Sequence, residues 1–131
     1  MKKVILKLKK PINHSDLRNL SIINTIEINQ KKISQIKIFV NRKESTVGNF
    51  FSIEISKIKS ENNEIEIYGC NKFCHYLGYM WKKDRLFINS DIGFNIGYKM
   101  ISGEIKINGS VDHFLGAEMS GGEIYVKGNA A

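Results

Sequence analysis

A single proline and two cysteines occur in 131 residues. That little proline excludes a proline-rich linker, and eleven glycines fall far short of the one in three that collagen needs. Two cysteines do not make a disulfide framework, so a reducing, cytoplasmic setting is expected. Long apolar runs are missing as well, since none approaches the ~20 residues of a membrane-spanning helix. The opening Met1-Lys2-Lys3 is basic, but the run Val4-Ile5-Leu6 is broken at Lys7, too short for a signal-peptide core. What is present is an ordinary globular mixture, 42% hydrophobic, 25% charged and 10% aromatic. A chain of this length buries a real core and is expected to form one domain over 1–131.

The net charge is +7, and all of the excess lies in residues 1–65, at positions such as Lys2, Lys3, Lys9, Lys10, Lys31, Lys32, Arg42 and Lys43. Residues 66–131 carry as many acidic as basic side chains. A basic half suits nucleic acid or an acidic protein surface. No nucleic-acid motif accompanies the charge, so solubility is the preferred reading.

Hydrophobic period sets the expected fold class. Thr25-Ile26-Glu27-Ile28, Ile36-Lys37-Ile38, Ser52-Ile53-Glu54-Ile55, Glu64-Ile65-Glu66-Ile67, Glu104-Ile105-Lys106-Ile107 and Glu123-Ile124-Tyr125-Val126 alternate with period two. Each places a β-branched residue inward beside a polar one outward, as half-buried strands require. Only His14 to Leu20 offers a helical turn, with Ser15 or Asp16 as its N-cap. The expectation is an all-β chain.

The C-terminal part repeats every 19 residues. Leu77-Gly78, Ile96-Gly97 and Leu115-Gly116 open three copies; Gly103 and Gly122 recur midway, and Gly109 and Gly128 at the end. The first copy has Asp84 and Ser90 at those two places. The apolar pairs Leu86/Ile88, Ile105/Ile107 and Ile124/Val126 keep step. Ten of the eleven glycines follow Tyr68, which divides the chain into a less regular part, 1–68, and a repeating part, 69–131. Nineteen residues are too few for a β-α-β unit, which takes roughly 30 or more. They suffice for two or three short strands joined by tight turns, with glycine at corners that need positive φ or close backbone approach. The expected architecture is therefore a β-helix, or β-solenoid. Its last copy would leave Ile124 and Val126 on an open edge, inviting a second copy or a partner subunit.

These residues resemble a known family. Ile96-Gly97, Met100, Gly103-Glu104-Ile105, Ile107 and Gly109, followed by Leu115-Gly116-Ala117-Glu118-Met119-Ser120-Gly121-Gly122-Glu123-Ile124-Tyr125-Val126-Lys127-Gly128-Asn129-Ala130, are similar to the GxGxG-repeat β-helix domain. That domain ends the large subunit of glutamate synthase and also forms one subunit of formylmethanofuran dehydrogenase. The upstream Ile36-Lys37-Ile38-Phe39-Val40-Asn41-Arg42-Lys43 and Val47-Gly48-Asn49-Phe50-Phe51-Ser52-Ile53 resemble the pattern of the dehydrogenase's GxGxG subunit, with Asn49 where Asp is usual. The resemblance covers nearly all of this chain but about the first half of a typical member, leaving a short paralogue and a truncated product both open.

The resemblance implies a right-handed β-helix and a non-catalytic structural subunit of a formylmethanofuran dehydrogenase or formyltransferase/hydrolase complex. Such complexes serve one-carbon metabolism in methanogens and methylotrophs. It also implies that this chain binds no cofactor, that molybdenum- or tungsten-pterin or zinc chemistry belongs to partner subunits, and that those subunits are its partners. Two other functions stay open: a stand-alone scaffold of glutamate-synthase type, and a basic nucleic-acid binder.

No residue set reads as catalytic. Cys70, Cys74 and His75 form the one local group with metal-ligand chemistry, but the spacing is not C-x₂-C and no second Cys/His pair exists. Packing as small apolar groups is the preferred reading for the cysteines. His113 beside Asp112 reads as a turn residue between copies, because no nucleophile is placed near it. Tyr76, Tyr79, Trp81, Phe87, Phe94 and Tyr98 are expected to stack on one another at successive copies. No Gly-Lys-Ser/Thr follows the glycines, so they form no phosphate loop.

Overall fold

In the computed structural model, which describes residues 1–130, the period-two segments assemble around the N-terminal strand. Strand β1 (Lys2–Leu8) buries Val4 and Leu6 completely. The later strands are β2 (Ser15–Asp16), β3 (Lys37–Val40), β4 (Lys43–Thr46), β5 (Phe51–Lys57) and β6 (Glu64–Tyr68). They continue as β7 (Cys74–His75), β8 (Arg85–Asn89), β9 (Glu104–Ile107) and β10 (Glu123–Val126). One sheet has the order β10-β9-β8-β6-β1-β5, parallel throughout except where β5 runs antiparallel to β1. The other has the order β4-β3-β2-β7, with only β2 and β7 parallel.

Register explains why the 19-residue period matters. Val4, Ile65, Leu86, Ile105 and Ile124 stand side by side, and Leu6, Ile67, Ile88, Ile107 and Val126 form a second apolar row. A one-residue slip would turn both rows to solvent, so burial holds the register. Backbone bonds repeat at the corners: Gly97 N–H donates to Leu77 O at 2.9 Å, and Gly116 N–H to Ile96 O at 2.8 Å. Gly97 has φ +70°, and a Cβ there would lie 2.6 Å from Ile124 Cδ1. Gly109 is required for a different reason, because a Cβ would overlap the Ser90 carbonyl oxygen of the preceding copy.

The expected all-β solenoid is not what forms. Helical segments interrupt the N-terminal part: a 3-10 helix over Arg18–Asn24, α1 (Gln30–Ser34) and α2 (Val47–Phe50). Both sheets are mixed, and no solenoid or closed barrel describes residues 1–130. The physical reason lies before Tyr68, where the glycine period is missing. There β1 takes an antiparallel neighbour in β5, and β3 and β4 close a hairpin through Asn41 and Arg42, at φ 52° and 65°.

Two local expectations also change. Thr25–Ile28 is no strand, because Thr25 ends the 3-10 helix and Asn29 starts the next one, its side chain accepting the Lys32 N–H at 2.8 Å. Ser15 and Asp16 pair as β2 rather than cap a helix, and the helix begins later, with Asp16 Oδ1 accepting the Arg18 N–H at 3.0 Å. The 3-10 helix is tied to the first copy through Asn24, whose amide donates to Lys83 O at 3.0 Å and accepts the Lys82 N–H at 3.2 Å. Trp81 lies in the core, its indole N–H donating to Asp84 O at 3.1 Å. No helix among the described residues is long and apolar enough to cross a membrane.

Candidate functional site

The polar chemistry of this molecule converges where β2 meets β7. Strand β2 is too short to stand alone, and its pairing with β3 and β7 draws three distant segments together. A pocket of about 320 Å³ opens there, lined by His14, Ser15, Asp16, Phe39, Arg42, His75, Tyr76 and Phe94. A larger recess, about 460 Å³ around Met1, Ile26 and Ile58, lacks such convergence; its Lys2 ammonium is engaged by Ile28 O at 2.9 Å.

His75 is the most constrained side chain of the pocket. Phe94 stacks on its ring at 3.8 Å with an interplanar angle of 13°. The Phe94 N–H donates to His75 Nδ1 at 3.0 Å, and His75 Nε2 stands 3.5 Å from His14 Nδ1. Burial, and then the neighbouring His14, push the His75 imidazole below its ordinary value, with Asp112 and Asp16 opposing weakly. Gly93 makes the approach of Phe94 possible, since a Cβ there would overlap His75 Nδ1.

Two arginines flank the pocket in different states. Arg18 holds Asp16 through Nε, at 2.9 Å and 3.1 Å to the two carboxylate oxygens, and lies over the Tyr76 ring at 4.0 Å. The Asp16 hydrogen bond raises the Arg18 guanidinium above its already high value. Arg42, presented by the β3–β4 turn, makes no ion pair among the described residues.

The candidate metal ligands are divided. Cys70 and Cys74 are both buried free thiols and hydrogen-bond to each other. That bond holds the Cys74 thiol down at about 7 against the opposing effect of burial, with the Asn71 backbone and the Ser15 hydroxyl assisting. Cys70 keeps the shared proton and is pushed well above its ordinary value, with burial acting in the same direction. His75 is next in the strand and faces the pocket instead, as strand alternation requires. Among the described residues no three His, Cys, Asp or Glu side chains form a group that could hold a metal ion.

The remaining candidates are placed as follows. His113 is exposed and contacts its neighbour Asp112 at 3.5 Å. Tyr79 and Tyr98 stack at 5.9 Å, and Tyr76 meets Phe94, Tyr79 and Tyr98 edge-on, forming one aromatic face beside Arg18. Gly78, Gly103, Gly116, Gly122 and Gly128 occupy corners of the repeat, and Ile124 and Val126 are half-buried on β10 at the sheet edge. Several N-terminal lysines are engaged locally: Lys9 with Gly48 O, Lys10 over Phe50, and Lys3 with Glu66. Sequence reading missed His14, Phe39 and Arg42 as pocket residues. Each stands in a different segment, and no spacing rule links them.

No protein-family model matches this sequence, and no curated protein matches it. Among solved structures, the fold matches a chain in the X-ray crystal structure of the formyltransferase/hydrolase complex from Methylorubrum extorquens in complex with methylofuran. The TM-score is 0.82 and the sequence identity 21%. The match covers 96% of this chain and 46% of that one, so this chain spans less than half the length of its counterpart. The likeness is one of fold.

Proposed function

We propose that this chain is a non-catalytic structural subunit of a formyltransferase/hydrolase-type complex of one-carbon metabolism. The single observation that carries the reading is backbone agreement over 96% of the chain with a member of such a complex. The aromatic face supports it, because Tyr and Arg are among the residue types that dominate subunit contacts. Arg18, Tyr76, Tyr79 and Tyr98 supply both on one surface. In this role the chain braces other subunits and leaves metal and formyl chemistry to them.

Affinity purification of the tagged chain from its source organism tests the assignment. Formyltransferase-like and amidohydrolase-like chains are expected to co-purify in fixed ratio. Recovery of neither sinks the subunit reading.

A further inference from the structure

We propose that the pocket between β2 and β7 binds a small, planar carboxylate. Nothing in the structural role requires this site, and the inference stands on the pocket's own geometry.

The first element is a fixed donor. A ring nitrogen that accepts a hydrogen bond carries no proton, so the Phe94 N–H at His75 Nδ1 places the neutral ring's proton on Nε2. Stacking by Phe94 and the close backbone approach at Gly93 hold that ring in place. His75 Nε2–H therefore points at the pocket side, where its protein partner, His14 Nδ1, lies at the long distance of 3.5 Å. An acceptor atom entering the pocket offers a better bond. The same tautomer argues against a metal ion, because Nε2 ligates only after giving up its proton and Nδ1 would then hold one against the Phe94 N–H.

The second element is charge. Asp16 is already neutralised by Arg18, so the carboxylate that lines the pocket does not repel an anion. Arg42 supplies an unpaired guanidinium, a planar fork that matches a carboxylate. The third element is shape. Phe39, Tyr76 and Phe94 form aromatic walls, and Phe39 is 39% exposed there. A volume of about 320 Å³ lies at the small end of ligand sites, which suits one ring bearing one anionic group.

Benzoate is the probe, followed by amide and imidazole NMR of the full chain. Saturable shifts are expected at Phe94, Arg42 and the His75 ring, while benzamide and inorganic phosphate leave these signals unmoved. Arg42→Gln, at an exposed turn, is expected to fold normally and to weaken benzoate binding about tenfold. Lack of saturable shifts with benzoate, equal response to benzamide or phosphate, or unchanged affinity in Arg42→Gln overturns the proposal. A glutamate-containing peptide that binds more tightly than benzoate also overturns it, by assigning the pocket to a carboxylate on a protein.

Discussion

The residue pair Cys70 and Cys74 shows how a neighbour outweighs burial. Burial alone pushes a thiol up, because the thiolate loses its water. Cys74 is nevertheless lowered to about 7, since the Cys70 S–H donates to its sulfur. Replacing Cys70 by alanine removes that donor and leaves burial as the largest remaining influence. The midpoint of thiolate absorbance at 240 nm, near 7 in the native chain, is expected to rise in Cys70→Ala. An unmoved midpoint would mean that the two sulfurs do not share a proton. His75 illustrates the reverse case: its neighbours stabilise the neutral ring, so it serves as a donor and not as a cation.

Among the elements, β8, β9 and β10 depend on the glycines between them more than on strand propensity. Each copy bonds to the next at the corners, and just before Gly109 the Asn108 N–H donates to Ile88 O at 2.8 Å. A side chain at Gly109 has no space, because its Cβ would overlap the Ser90 carbonyl. Gly109→Ala is expected to cost about 1–3 kcal/mol, as overpacking at rigid backbone does. Chemical denaturation measures this directly. An unchanged midpoint would show that adjacent copies do not touch there. Other corners reach positive φ without glycine: Met80, Lys99 and Glu118 recur at 19-residue spacing with φ between 50° and 56°. Their side chains conceal that period in the sequence.

For the whole molecule, the two ends of the large sheet differ. β5 ends one side and β10 the other, and β10 carries the half-buried Ile124 and Val126. A strand with one unpaired edge is a template for another. We propose that in this chain a second copy covers β10. Sedimentation is expected to show an assembled species at high micromolar concentration, and Val126→Lys to yield a monomer with unchanged circular dichroism. A wild-type monomer at that concentration rules the edge contact out.

Much of the large sheet was legible because period-two burial is local: Glu64–Ile67, Glu104–Ile107 and Glu123–Val126 all form strands where their alternation put them. The 19-residue phase of the glycines and apolar pairs also determined which strands align, since only one register buries both rows. What the sequence did not contain was the mixed architecture of the first half, where caps such as Asn29 override a strand-like pattern at Thr25–Ile28. Nor did it contain the pocket. His14, Phe39, Arg42 and His75 come from four segments, and only β2 pairing with β3 on one side and β7 on the other brings them within reach. Local pattern specifies which face of a segment is buried, whereas convergence of polar groups depends on nonlocal strand pairing, which tertiary packing alone decides.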